Sequence, residues 1–113
     1  MESVRQQKIG RQLMKDLGLL FQQQGASLTG AAVLITVTKV KITPDLQLAR
    51  TYLSIMGTEN KADIVNTINT KAGEIRYMLG KKLRHQLKNI PRFQFYLDDS
   101  IDYIENINKL LDQ

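Results

Sequence analysis

Hydrophobic positions recur along the chain with two periods, and the places where the period changes mark the elements. In residues 4–24, Ile9, Leu13, Leu17, Leu20 and Phe21 form an apolar arc at helical spacing, with Lys8, Arg11 and Lys15 on the opposite side. Gly10 and Gly18 each lower the propensity of this helix by roughly 1 kcal/mol relative to alanine, so packing must hold it. Gly25 is placed to cap it, and the GASLTGAA that begins there is expected to be a small-residue loop. Residues 32–42 are rich in Val, Ile and Thr and read as a strand. Its apolar phase shifts after Val37, which predicts a bulge near Thr38 or Lys39. Residues 43–46 make a turn with Pro44 in its second position. A strand at 48–56 then turns Ala49, Thr51, Leu53 and Ile55 one way and Arg50, Tyr52 and Ser54 the other. Two strands across a short turn predict an antiparallel hairpin.

After Gly57 a polar loop leads to a helix from Lys61 to Thr70, with Ile64, Val65 and Ile68 inward. In residues 71–92, Ile75, Leu79, Leu83 and Leu87 repeat every fourth position and stack along one stripe, with Lys81, Arg84, His85 and Lys88 on another side. Pro91 is expected to end this element, because it lacks a backbone donor and disfavours helix at Ile90. Phe93, Phe95 and Leu97 alternate with Gln94 and Tyr96 as a third strand. Asp99 or Ser100 is placed to cap a last helix lined by Ile101, Ile104, Ile107 and Leu111. The order α-β-β-α-α-β-α predicts a two-layer α+β domain across residues 1–113, with a three-stranded sheet that needs helices on one face.

Charge sharpens the picture. The net charge is +5, but residues 71–92 alone carry seven bases against one acid, residues 1–41 six against two, and residues 93–113 one base against five acids. A solubilising face mixes both signs, so a field of one sign predicts a polyanion partner. The candidate phosphate contacts are Lys81, Lys82, Arg84 and Lys88, flanked by Arg76 and Arg92. Lys8, Arg11 and Lys15 follow, then Lys39, Lys41 and Arg50, with Tyr52 beside them. Arg76 lies at the edge of the apolar stripe, where a structural ion-pair role is the alternative. Aromatic residues are sparse, and Phe93 and Phe95 alternate as core residues do. Backbone and shape readout of structured RNA is therefore expected over single-strand reading.

Little supports catalysis. The chain has no cysteine, which excludes disulfides and thiolate metal sites, and no apolar run long enough to span a membrane. Its polar amino terminus carries no secretory signal, so a cytoplasmic location is expected. The single histidine, His85, sits among Lys82, Arg84 and Lys88 and reads as part of the basic face. Asp98, Asp99 and Asp102 could hold Mg²⁺, as a small nuclease would need, but carboxylates at a helix start are better explained by its free N–H groups. No metal, cofactor or enzymatic activity is expected.

Four stretches in order resemble the bacterial ribosome-binding factor A family. They are the opening basic helix, VTKVKITPDLQLARTYLS (37–54), IRYMLGKKLR (75–84) and IPRFQFYLDDSID (90–102). The resemblance implies a type II KH-like fold, β-β-α-kink-α-β, whose helix–helix joint replaces the Gly-x-x-Gly loop of ordinary KH domains. Here the joint falls on Lys71, Ala72 and Gly73. The glycine is kept and the first small residue is a lysine, which adds a charge. The resemblance further implies a non-catalytic monomer that binds free 30S particles and 16S rRNA, supports processing of the 16S 5′ end and aids growth in the cold. A general KH-like binder of short single strands is the rival reading.

Overall fold

The hairpin forms as its residue types require. In the computed structural model, which describes residues 2–86 and 89–98, strand β1 (Leu34–Ile42) pairs antiparallel with β2 (Leu48–Met56). The register steps from Val37↔Leu53 to Lys39↔Tyr52, leaving Thr38 as the extra residue of a bulge. The Thr38 hydroxyl is turned across β2 to donate to the Asp98 carboxylate. In the connecting turn, the Asp45 carboxylate accepts from the Thr43 hydroxyl (2.6 Å) and the Gln47 N–H (3.1 Å). Those two bonds, the hydroxyl first, hold the Asp45 pKa below its ordinary value. Leu46 closes the turn in the left-handed region (φ 63°), its N–H donating to the Thr43 carbonyl at 2.8 Å.

Strand β3 (Arg92–Leu97) lies parallel to β2, giving the sheet order β1-β2-β3. A parallel neighbour needs a crossover, and helices α2 (Lys61–Thr70) and α3 (Ala72–Leu83) supply it, packing back onto β3. On the free side of β3, a side chain of α2 meets the backbone of Phe95. The Asn69 amide donates to Phe95 O (2.9 Å) and accepts from Phe95 N (2.8 Å), which satisfies both edge groups of that residue. Helix α1 (Val4–Thr29) lies along β1. Gly10 is buried where the helix meets the strand, with room for a Cβ at ordinary contact distance, 3.4 Å, from Val40 O. Leu13, Leu17, Leu53, Ile75, Leu79 and Phe95 form the centre of the core, each at most 2% exposed.

Three boundaries differ from the sequence expectation. Helix α1 runs on past Gly25 to Thr29. Gly25 is buried against Ile35, and the left-handed cap is Gly30 (φ 70°), whose N–H donates to Ala26 O at 2.8 Å. At its start, Ser3 and Gln6 exchange backbone–side-chain bonds of 2.7 and 3.1 Å, and the Gln6 amide also donates to Ile42 O, tying α1 to β1. Strand β1 begins at Leu34 rather than at residue 32. The central helix stops at Leu83, well before Pro91. A bond from Gln86 N to Leu83 O (2.8 Å) tightens its exit, and the chain must turn so that Arg92 N reaches Gln47 O (2.8 Å) to begin β3. Arg92 is thus a strand residue. The expected last helix, with Asp99, Ser100 and Asp102, lies outside the described residues, as do Leu87 and Lys88.

One buried group is a liability. Thr51 is 0% exposed on the core face of β2, and its hydroxyl has no hydrogen-bond partner among the described residues. Valine keeps the shape without the desolvated oxygen. Thr51→Val is expected to raise stability by about 1 kcal/mol, read as a higher urea midpoint at unchanged slope.

Candidate nucleic-acid interface

The basic residues of α1 and α3 stand on the helical side of the sheet. Packing of Leu13, Leu17, Leu20 and Phe21 into the core turns Lys8, Arg11 and Lys15 to solvent. On α3, burial of Ile75, Leu79 and Leu83 leaves Arg76, Lys81 and Lys82 exposed, with Arg84 and His85 following in the turn. The structure gives these residues different tasks. Lys82 Nζ lies 3.7 Å from the carboxylate of Asp16 on α1, a residue only 5% exposed that also accepts from Gln12 at 2.6 Å. Lys82 is therefore the charge partner of a buried acid and ties α3 to α1. Lys81 extends over the ring of exposed Tyr77, 4.6 Å from its centroid. Arg84 turns its Nε to His85 Nε2 at 3.4 Å.

Arg76 is the pivot of this surface. Its Nε donates to Ile90 O at 3.0 Å, so it makes a structural tie to a carbonyl rather than an ion pair. Its other N–H groups are not used by that bond. Two concavities meet at Arg76, Asn89 and Ile90. One, of about 580 Å³, is lined by Gly73, Tyr77, Gly80, Lys81 and Arg84. The other, of about 500 Å³, gathers Arg5 from α1, Arg92 from β3, and the turn residues Asp45, Leu46 and Gln47. Sharing those three residues, they adjoin as one groove lined by five cationic side chains, from α1, from α3 and the turn after it, and from β3.

The helix joint uses none of glycine's conformational freedom. Lys71 stands alone between α2 and α3 with φ −100° and ψ 8°, a conformation open to any residue, and its N–H donates to Ile68 O. Its Nζ lies 3.9 Å from exposed Glu74, a contact that solvent weakens. Ala72 opens α3 and Gly73 lies within it, with a φ outside the left-handed range and nothing within 4 Å of a built Cβ. Gly73→Ala is thus expected to stabilise the fold by about 0.5–1 kcal/mol, measured by thermal unfolding. A loss of stability would show that Gly73 is needed for the break.

The sheet face opposite the helices carries the remaining candidates. Lys41 is paired directly with Arg50, and Lys39 with Tyr52. Like charges across a strand pair are unfavourable. Tyr52 and Tyr96 stack at 5.4 Å between centroids, and Lys39 Nζ lies 6.0 Å from the Tyr52 ring. Among the described residues, Lys39, Lys41 and Arg50 take part in no ion pair.

Arg5, Tyr77 and Tyr96 were not picked out by sequence. Arg5 stands alone among polar residues there, and only the fold brings it to Arg76 and Arg92. The acidic candidates do not assemble among the described residues, where no group of three metal-ligating side chains occurs. Asp98 accepts from Thr38, while Asp99 and Asp102 lie outside that range. No helix among the described residues is long and apolar enough to cross a membrane.

A family model described as ribosome-binding factor A matches residues 5–111. A ribosome-binding factor A of Cytophaga hutchinsonii is 41% identical over 111 residues, covering 98% of this chain and 83% of the relative. In structure, the chain resembles the crystal structure of ribosome-binding factor A from Thermus thermophilus, with TM-score 0.65, 16% identity, and coverage of 81% of this chain and 94% of that one. It also resembles a Thermus thermophilus ribosome-binding factor A fitted into the cryo-EM map of a 30S complex, with TM-score 0.62, 19% identity, and coverage of 80% and 91%.

Proposed function

The chain belongs to the ribosome-binding factor A family, and on that premise we propose that it is a non-catalytic, cytoplasmic assembly factor for the small ribosomal subunit. In this reading residues 1–113 act as one KH-like RNA-binding domain, monomeric, on free 30S particles. The factor holds a local 16S rRNA conformation and supports maturation of its 5′ end. The observation that carries the proposal is the groove of Arg5, Arg76, Lys81, Arg84 and Arg92, cationic side chains lining one channel. Such a field neutralises phosphates without reading sequence. The 30S complex of the Thermus thermophilus protein supports the choice of partner.

The test is co-sedimentation of the purified protein with 30S, 50S and 70S particles at two salt concentrations. Binding confined to 30S and weakened by salt is the expected result. Equal binding to all three particles would reduce the protein to a sticky basic domain. Preference for short single strands over 30S would point to a general KH-like binder.

A further inference from the structure

The cavity between α1, the β1–β2 turn and the entry to β3 is more than a stretch of basic surface. Its volume, about 500 Å³, suits one nucleotide rather than a bare phosphate. Its wall holds three guanidinium groups, from Arg5, Arg76 and Arg92, against one carboxylate, Asp45, whose oxygen is already engaged by the Thr43 hydroxyl and the Gln47 N–H. The Arg76 guanidinium is fixed in place by its bond to Ile90 O. The floor is apolar: Ile9, Leu46 and Ile90 pack against the core while also lining the cavity. Gln47 and Asn89 bring amides to its rim, side chains able both to donate and to accept.

A second observation points to the same place. Leu46 is the one non-glycine among the described residues with positive φ. A bulky side chain in the left-handed region is uncommon and unfavourable, and glycine or asparagine would fit that turn position better. The strained residue is the one that supplies part of the cavity floor. Backbone strain of this kind collects where a side chain must be held for a ligand.

We propose that this cavity receives a single nucleotide extruded from structured RNA, its phosphate on the three arginines and its base and ribose against Ile9, Leu46 and Ile90. The proposal rests on the RNA-binding reading above and deepens it. The groove tracks backbone phosphates, and the cavity adds a preference for a helix carrying one unpaired residue.

Two short RNA duplexes test it, identical except that one carries a single unpaired 2-aminopurine nucleotide at its centre. The full chain is expected to bind the bulged RNA about tenfold more tightly than the paired one, with a change in 2-aminopurine emission. Leu46→Gly relieves the strained φ and removes the floor side chain without altering charge. It is expected to bring the two affinities within about twofold of each other, the bulged RNA losing its roughly tenfold advantage. Arg5→Gln, at an exposed position, should also reduce the preference. Equal binding of the two RNAs by the unsubstituted protein, or a preference that survives Leu46→Gly, overturns the proposal but leaves the groove reading standing. Failure to bind either RNA overturns both. Adenosine 5′-monophosphate bound more tightly than the bulged RNA would make the cavity a free-nucleotide site and overturn the assignment to RNA.

Discussion

Phe95→Ala is expected to destabilise the protein by about 3–5 kcal/mol, the largest loss from any single truncation in this core. Phe95 is 2% exposed and stands where the two layers meet. Its ring makes an edge contact with Phe21 of α1 (5.8 Å, 78°) and stacks with Phe93 of β3 (5.9 Å, 24°). Alanine would leave a hole bordered by elements that other bonds hold in place, so little collapse can offset it. The Asn69 clamp grips backbone atoms of residue 95 and survives the substitution, so these edge bonds persist while the core is opened. A domain of this size is stable by only about 5–15 kcal/mol, so much of that margin is lost. Urea unfolding reads the effect, with Gln94→Ala, an exposed neighbour, as the control expected within about 0.5 kcal/mol. A loss below about 1.5 kcal/mol at Phe95 would mean that the core repacks freely and that the aromatic cluster is not its centre.

The alternation of Phe93 and Phe95 was legible in the sequence, as were the hairpin, its bulge, and the inward face of α2. These are short-range signals written in neighbouring residues. The parallel pairing of β3 with β2 was not, because register with a distant strand leaves no local mark. The role of Asn69 was equally hidden, since an asparagine near a helix end has several local uses and only the fold puts it beside Phe95. The length of α1 differs from the expectation for a physical reason: Gly25 looks like a cap, yet it is retained in the helix where it packs against Ile35, and Gly30 ends it. In the central helix, no residue before Pro91 breaks the pattern. The stop at Leu83 is imposed from outside, by the need to return Arg92 to the sheet.

The candidate interface was legible as a quantity of charge but not as an arrangement. Counting could show that residues 71–92 are basic, and could not show that Lys82 is engaged by Asp16 of α1 whereas Lys81 and Arg84 face a groove. Nor could it bring Arg5 to the far end of that groove. Charge follows composition, while the number of cations directed at one ligand follows tertiary structure.

That distinction can be measured on the 30S particle. The double substitution Lys81→Glu with Arg84→Glu is expected to weaken 30S binding by about two orders of magnitude near 0.1 M salt. Each cation lost from a phosphate contact removes released counterions, and each acid put in its place adds repulsion. The plot of log affinity against log salt should flatten by about 1.4–1.8 units, since each of the two contacts contributes roughly 0.7–0.9. Both side chains are exposed, so the thermal midpoint should hold to within a few degrees. Lys82→Ala separates the two roles. It leaves the carboxylate of Asp16 buried without its cation, so it should lower stability while changing the salt slope little. A salt slope unmoved by the double substitution would take α3 out of the interface, and attention would pass to Lys39, Lys41 and Arg50 on the opposite sheet face. A slope that drops as much for Lys82→Ala as for Arg84→Ala would show that Asp16 releases its partner to the RNA on binding.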